Sequence, residues 1–357
     1  MKSRRMYYFC TYFDVHYLTR GLALYESLEN HCSSFELWIL CMDDDAYTAL
    51  AKMSLPHARL VKLEDFERGD GALLGAKRNR SLIEYYFTCT PSLPLYVFDH
   101  CPEAQLITYV DADHYFFSDP RPIFDEMGDN SILLIEHRFP SHLKEWEDRG
   151  IFNVGVLSFR RDKEGTACLK WWRERCIEWC YDRVEDGRFA DQKYLDQWPQ
   201  LFTGVKVLQN KGAGLAPWNA SNYEIVLNHK EVTVSGDQLV VYHFQGFNQV
   251  GRRTYSTGLK QFELTSNRVI RRHIYRPYLR AILRASRSLA KAGNSADHGV
   301  ETIRYDLPTS DNPRPVSLFL RMRVGLTRIG CLPQTLRTYL LKLKEGEYLL
   351  ALGRSAI

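Results

Sequence analysis

The chain opens on an alternation of strand-type and helix-type segments, and this order constrains its fold more than any other feature. Met6–Phe13 (MYYFCTYF) is aromatic and β-prone. Leu18–Asn30 sets Leu22, Leu24, Tyr25 and Leu28 on one helical face. Phe35–Met42 (FELWILCM) reads as a buried strand, and Asp43 stands where it can cap a helix reaching to about Met53. Ala58–Leu63 is a third strand, helices are expected over Arg80–Phe87 and Leu93–His100, and Gln105–Val110 (QLITYV) is an apolar strand. Ser131–Ile135 and Ile151–Phe159 add strands, and Gly165–Val184 adds a helix. Two late strands, Val205–Leu208 and Gln238–His243, flank an irregular region, and no internal repeat is present. A βαβ opening followed by this mixed region predicts an α/β fold, a mixed sheet with helices on both faces. Ligands of such sheets sit at the carboxyl ends of strands.

The most informative stretch is Tyr109-Val-Asp-Ala-Asp-His-Tyr-Phe-Phe-Ser-Asp-Pro120. Asp111 and Asp113 follow an apolar strand directly, so they belong at the mouth of the sheet rather than in its core. Two hard carboxylate ligands suit Mg²⁺ or Mn²⁺, and the ion in turn can hold a diphosphate. A solvated turn with an Asp cap is the plainer reading of the same two residues. His243, at the end of a late strand in Val240-Val-Tyr-His-Phe-Gln-Gly246, can complete such a site through an imidazole nitrogen. In Phe152-Asn153-Val-Gly155-Val156 an amide and a glycine interrupt an apolar strand. They offer either close approach to a ligand or a β-bulge. Asp191-Gln192 opens a helix after Gly187, where Asp191 also reads as an N-cap.

Together these four motifs resemble the retaining, metal-dependent glycosyltransferases of the GT-A (Rossmann-like) fold. They resemble family 8 in particular, with its glycogenin-like and lipopolysaccharide galactosyltransferase-like members, over roughly residues 6–250. The resemblance implies that Asp111, Asp113 and His243 are metal ligands, with Mn²⁺ or Mg²⁺ as cofactor. It implies that Asp191 and Gln192 lie at the reacting sugar. It further implies a donor site drawing on Thr11, Asp14 and Tyr17 for base and ribose, Arg80 and Arg252 for phosphates, and Ala112, Asn153, Gly155 and Gly246 along the motifs. The block Lys211-Gly-Ala-Gly-Leu-Ala-Pro-Trp218-Asn219 either shapes the sugar pocket or is a connecting loop. The expected activity is transfer of a sugar from a nucleotide-diphospho-sugar, UDP-linked in the first instance and GDP-linked in the second. The acceptor would be a glycan or lipid-linked saccharide of a cell-surface polysaccharide. The family follows its late His-x-x-Gly with Lys-Pro-Trp; here Gly246 is followed by Phe-Asn-Gln-Val-Gly-Arg252-Arg253. An Arg fork does not replace a Lys point charge simply. A sugar nucleotidyltransferase would carry a Gly-rich basic loop after the first strand, where this chain reads Thr11-Tyr-Phe-Asp14. A non-catalytic nucleotide-sugar-binding protein is the other alternative.

Charge divides the chain. Residues 268–357 carry 17 Lys and Arg against 6 Asp and Glu, whereas 1–267 carries 30 against 37. An acidic body with a basic tail does not describe a compact nucleic-acid-binding domain. It suggests a catalytic domain over 1–267 and a basic helical region over 268–357. There Arg276, Arg280, Arg284, Arg287 and Lys291 form one helical stripe, with Tyr275, Tyr278, Leu279, Ile282 and Leu289 opposite. Such a helix either docks on an anionic membrane surface or packs on the catalytic domain. Residues 292–315 read as a linker to a second basic, apolar stretch, Val316–Leu343. The nine cysteines follow no spacing framework and are expected as reduced core thiols. With no signal peptide or spanning segment evident, a cytoplasmic protein is expected, in peripheral contact with the inner membrane face if the tail docks there.

Overall fold

The computed structural model describes residues 5–251, 253–293, 339, 342–343 and 347–350. The strands of the first part are β1 Tyr7–Phe13, β2 Phe35–Cys41, β3 Ala58–Lys62, β4 Leu106–Val110, β5 His114–Phe116, β6 Ile132–Glu136, β7 Phe152–Arg160 and β8 Val205–Val207. Those that follow are β9 Ile225–Asn228, β10 Glu231–Val234, β11 Asp237–Gln238, β12 Val241–His243, β13 Asn248–Gly251, β14 Thr254–Ser256 and β15 Tyr348–Leu350. The first helices are α1 Leu18–His31, α2 Asp44–Ala51, α3 Leu63–Glu67, α4 Gly71–Lys77, α5 Leu82–Cys89 and α6 Ser92–His100. They are followed by α7 Arg121–Met127, α8 Lys163–Glu178, α9 Trp198–Leu201 and α10 Arg276–Lys291.

A seven-stranded sheet in the order β3-β2-β1-β4-β7-β6-β8 forms the centre. The strands β3, β2, β1 and β4 run parallel, β7 is antiparallel to both β4 and β6, and β8 is parallel to β6. This is the mixed α/β sheet that the strand–helix order predicts. The period of two in β1 feeds both faces. Tyr7, Phe9 and Phe13 join α1, α2 and α7 on one side, while Cys10 joins α5, α6 and α8 on the other. Asp43 caps α2 by accepting from the Ala46 amide, as expected. The Trp-rich helix is shorter than Gly165–Val184. It begins at Lys163, where the Asp162 carboxylate accepts from the Gly165 amide, and Trp179 beyond its end is extended. The expected strand Gln238–His243 is two pieces, and only β12 faces β5. All eight described cysteines are free and buried.

The basic helix resolves one question of packing. In α10 the arginine stripe is exposed, and Tyr278, Leu279, Ala281, Ile282, Ala285 and Leu289 are buried against α1 and the late strands. Arg284 forks onto the Glu26 carboxylate of α1. Of the two arrangements open to this apolar face, it takes the one on the body, because α1 and β5 offer it a matching apolar surface. The 267/268 boundary falls within packed structure as far as Gly293. Arg252, nearly all of 292–315 and most of the second basic stretch lie outside the described residues. No described helix is long and apolar enough to cross a membrane.

Candidate metal site and its cleft

A cleft of about 820 Å³ opens at the carboxyl ends of β1 and β4, within the size range of small-molecule sites. Its floor is built by a tight turn and a short ladder. The His114 amide donates to the Asp111 carbonyl, turning Asp111-Ala112-Asp113 back on itself (3.1 Å). Strand β5 then pairs antiparallel with β12, in a register that places His243 opposite His114. The Phe244 amide donates to the Asp113 carbonyl (2.9 Å), which locks the two segments together. In consequence His243 Nε2 lies 3.1 Å from Asp113 Oδ1 and 4.0 Å from Asp111 Oδ2. Tyr109 Oη donates to Asp111 Oδ1 (2.7 Å), fixing that carboxylate.

Two carboxylates and an imidazole converge here, and together with His114 their ligand atoms all lie within 4.8 Å of one another. The electrostatics fit a cation. Burial pushes the Asp113 carboxyl upward, but the charge and hydrogen bond of His243 outweigh it and the net shift is strongly downward. Burial opposes charge on His243 too, yet Asp113 and Asp111 raise its pKa above the ordinary histidine value. Asp111 is raised, by burial first and by its neighbour Asp113 as well, against the pull of His243. Without a cation a proton must mediate between these groups; a divalent ion would take its place and relieve both carboxylates.

The far wall comes from β7 and the segment before the 3₁₀ turn Lys193–Gln197. Asn153 Oδ1 accepts from the Gly155 amide (2.7 Å), and Asn153 Nδ2 meets His137 Nε2 (3.1 Å). The β6–β7 register shifts between Leu133 and Ile135, so the bulge reading of this segment holds as well as its placement in the cleft. Burial drives the His137 imidazole down to about 3, so it is neutral and free to pair with an amide. Asp191 does not cap the following helix. That helix begins after Gln192 with no side-chain cap. Instead the carboxyl of Asp191 is buried at the cleft, where burial, with the Asp111 charge adding, lifts it to about 7 against the hydrogen bond from Thr90. Gln192 Nε2 donates to the Arg149 carbonyl (3.0 Å) and Lys193 Nζ to the Glu147 carbonyl (2.7 Å). These bonds clasp the segment Ser141–Arg149 over the cleft.

The cleft therefore gathers Asp14, Tyr17, Asp111, Ala112, Asp113, Asn153, Gly155, Asp191, Gln192, Trp218 and His243. Thr11, Arg80, Asn219 and Gly246 are not among its lining residues. Thr11 is fully buried in β1. The Arg80 guanidinium lies 3.9 Å from the centre of the Tyr181 ring and donates to the Ile177 carbonyl. Asn219 spends its amide on the His137 and Gly214 carbonyls and the Ala216 amide, holding the loop that carries Trp218. Sequence reasoning passed over His114, His137, Tyr109 and Trp146. His137 follows the apolar strand β6 much as Asp111 follows β4, and that strand-end position is the signal for it.

Two proteins of Bacillus subtilis (strain 168) match the chain. YfnD is 32% identical over 276 residues, covering 76% of this chain and 88% of YfnD. YfnF is 34% identical over 250 residues, covering 68% of this chain and 82% of YfnF. Both bear the description "uncharacterized protein". No protein-family model matches. Among solved structures, the galactosyltransferase LgtC in complex with donor and acceptor sugar analogs overlays with a TM-score of 0.43 at 16% identity, covering 67% of this chain and 87% of that one.

Proposed function

The chain belongs to the same family as YfnD and YfnF of Bacillus subtilis, and from the geometry of its cleft, together with the resemblance of its motifs to retaining family 8 enzymes, we propose that it is a divalent-metal-dependent, retaining glycosyltransferase. The donor is a nucleotide-diphospho-sugar, UDP-linked before GDP-linked, and the acceptor is a saccharide. The observation that carries this reading is the convergence of Asp111, Asp113 and His243 at a strand end, on the floor of a cleft whose opposite wall holds Asp191. A bound Mn²⁺ or Mg²⁺ supplies charge neutralisation for the departing nucleoside diphosphate. Asp111, Asp113 and His243 hold that charge in place. Asp14 and Tyr17, in the turn after β1, line the cleft, and in this reading they contact the base and ribose. Asn153, beyond its bonds to Gly155 and His137, keeps one donor and one acceptor position for sugar hydroxyls. Asp191 faces the anomeric carbon, where its carboxylate supports the positive charge that develops as the sugar leaves. Retention follows from attack of the acceptor hydroxyl on the leaving-group face, with the departing phosphate accepting the proton. That saccharide is a glycan or is lipid-linked; the apolar face of α10, one ground for the second, is covered.

Thermal shift with nucleotide-sugars, with and without Mn²⁺, followed by NMR of the product, tests the proposal. The matching donor should stabilise the chain only with metal, and the product from an α-linked donor should be α-linked. Asp111→Asn with Asp113→Asn should abolish transfer without unfolding the chain. Full transfer by that double variant in chelator would sink the assignment, and donor binding without turnover would favour a non-catalytic binding protein.

A further inference from the structure

Two buried imidazoles, not one, stand beside the paired aspartates. The β5–β12 register sets the rings of His114 and His243 side by side across the ladder, their centroids 4.1 Å apart and their planes 35° apart. His114 is only 4% exposed, and its Nδ1 has no hydrogen-bond partner. That nitrogen lies 3.9 Å from Asp113 Oδ1. The Cε1–Nε2 edge of the ring presses on Gly155, where an added Cβ would stand 2.6 Å from His114 Cε1 and 3.1 Å from its Nε2. The bare glycine is thus what admits the imidazole. A buried polar nitrogen without a partner costs about 1–3 kcal/mol. An aliphatic side chain would fill this place without that penalty, so packing alone does not account for a histidine here.

The distances suit a single ion. With bonds of about 2.0–2.3 Å, neighbouring ligand atoms of one ion stand about 3 Å apart and opposite ones about 4.3 Å. The observed separations of 3.1, 3.9 and 4.0 Å lie in or near that range, and each of the four residues offers a ligand atom within 4.8 Å of the others. We propose that His114, through Nδ1, is a fourth protein ligand beside Asp111, Asp113 and His243, and that this two-carboxylate, two-imidazole set selects transition ions over Mg²⁺. Imidazole nitrogen suits transition ions, whereas Mg²⁺ keeps an octahedral shell of oxygens. The inference rests on the metal site of the proposed function but not on sugar transfer.

The test uses the full chain loaded with Co²⁺ and ¹⁵N-labelled at histidine. Each ligating imidazole gives a hyperfine-shifted ring N–H resonance. The wild type should show two, and both His114→Gln and His243→Gln should each remove one. In separate titrations with Mn²⁺ and Mg²⁺ alone, His114→Gln should weaken Mn²⁺ binding by about tenfold or more while leaving Mg²⁺ within about twofold. A single shifted resonance in the wild type, or unchanged Mn²⁺ affinity in a folded His114→Gln chain, overturns the proposal. Should the variant fail to fold, the wild-type resonance count decides. A chain that binds Mn²⁺ through both histidines yet transfers no sugar overturns the enzymatic reading and leaves this one standing.

Discussion

Asp191 sits on a strained turn, since Ala190 before it has φ of 44° in the left-handed region. The turn is held where the Ala190 amide donates to the Tyr181 carbonyl and Trp172 Nε1 donates to the Asp191 carbonyl (2.8 Å). Such strain persists only where surrounding structure over-determines it, and it gathers at functional positions. Burial lifts the Asp191 carboxyl from 3.8 to about 7. Between those values the folded chain holds a proton that the unfolded chain has lost, so folding stability falls as pH rises through this window and levels above it. Asp191→Asn has nothing to titrate there. In chelator, its urea-unfolding stability relative to wild type should improve from roughly pH 5 to pH 8 by on the order of a few kcal/mol. Parallel pH profiles of the two proteins would refute the buried-carboxyl account. The same cost of ionisation at rest means that Asp191 gains most when positive charge appears opposite it, which is the role assigned to it.

At the scale of elements, α10 separates burial from charge on one helix. Ile282→Ala removes a side chain 5% exposed between α10 and the late strands and should cost about 2–5 kcal/mol in chemical denaturation. Arg280→Ala, on the exposed stripe, should stay within about 0.5 kcal/mol. Equal effects would mean that the helix is not packed as described. Both faces of α10 were legible in the sequence, because a period of 3.6 shows in any amphipathic helix. What the apolar face meets was not legible, since the same pattern serves a bilayer and a protein partner equally. Asp111 and Asp113 were legible for a different reason, as carboxylates directly behind an apolar run need a purpose. The partnership of His114 with His243 was hidden, because β5 and β12 have three residues each and no turn joins them to reveal the register. Asp191 was visible, but its cap reading failed because a cap and a cleft residue look alike when only the helix start is known.

For the whole molecule, three apolar clusters border the cleft, and the late strands with α10 close the side that the opening sheet leaves uncovered. A cation bound only by the folded chain should stabilise all of it together. At free Mn²⁺ about 100 times the dissociation constant the gain is about 2.7 kcal/mol. It should appear as one cooperative upward shift of the melting transition that chelator reverses and that Asp111→Asn with Asp113→Asn abolishes. A shift confined to part of a biphasic melt would contradict a site shared by the whole body. The β5–β12 ladder also orders events during biosynthesis. A chain leaving the ribosome exposes Asp111-Ala-Asp113-His114 long before Val241–His243 has been translated. Until then the acidic turn lacks His243 and the strand that holds it in register, and it is a weak, unselective trap for any passing ion. Metallation in earnest must wait for the downstream strand to arrive, so the choice of ion is made by the finished fold from whatever the cell then supplies.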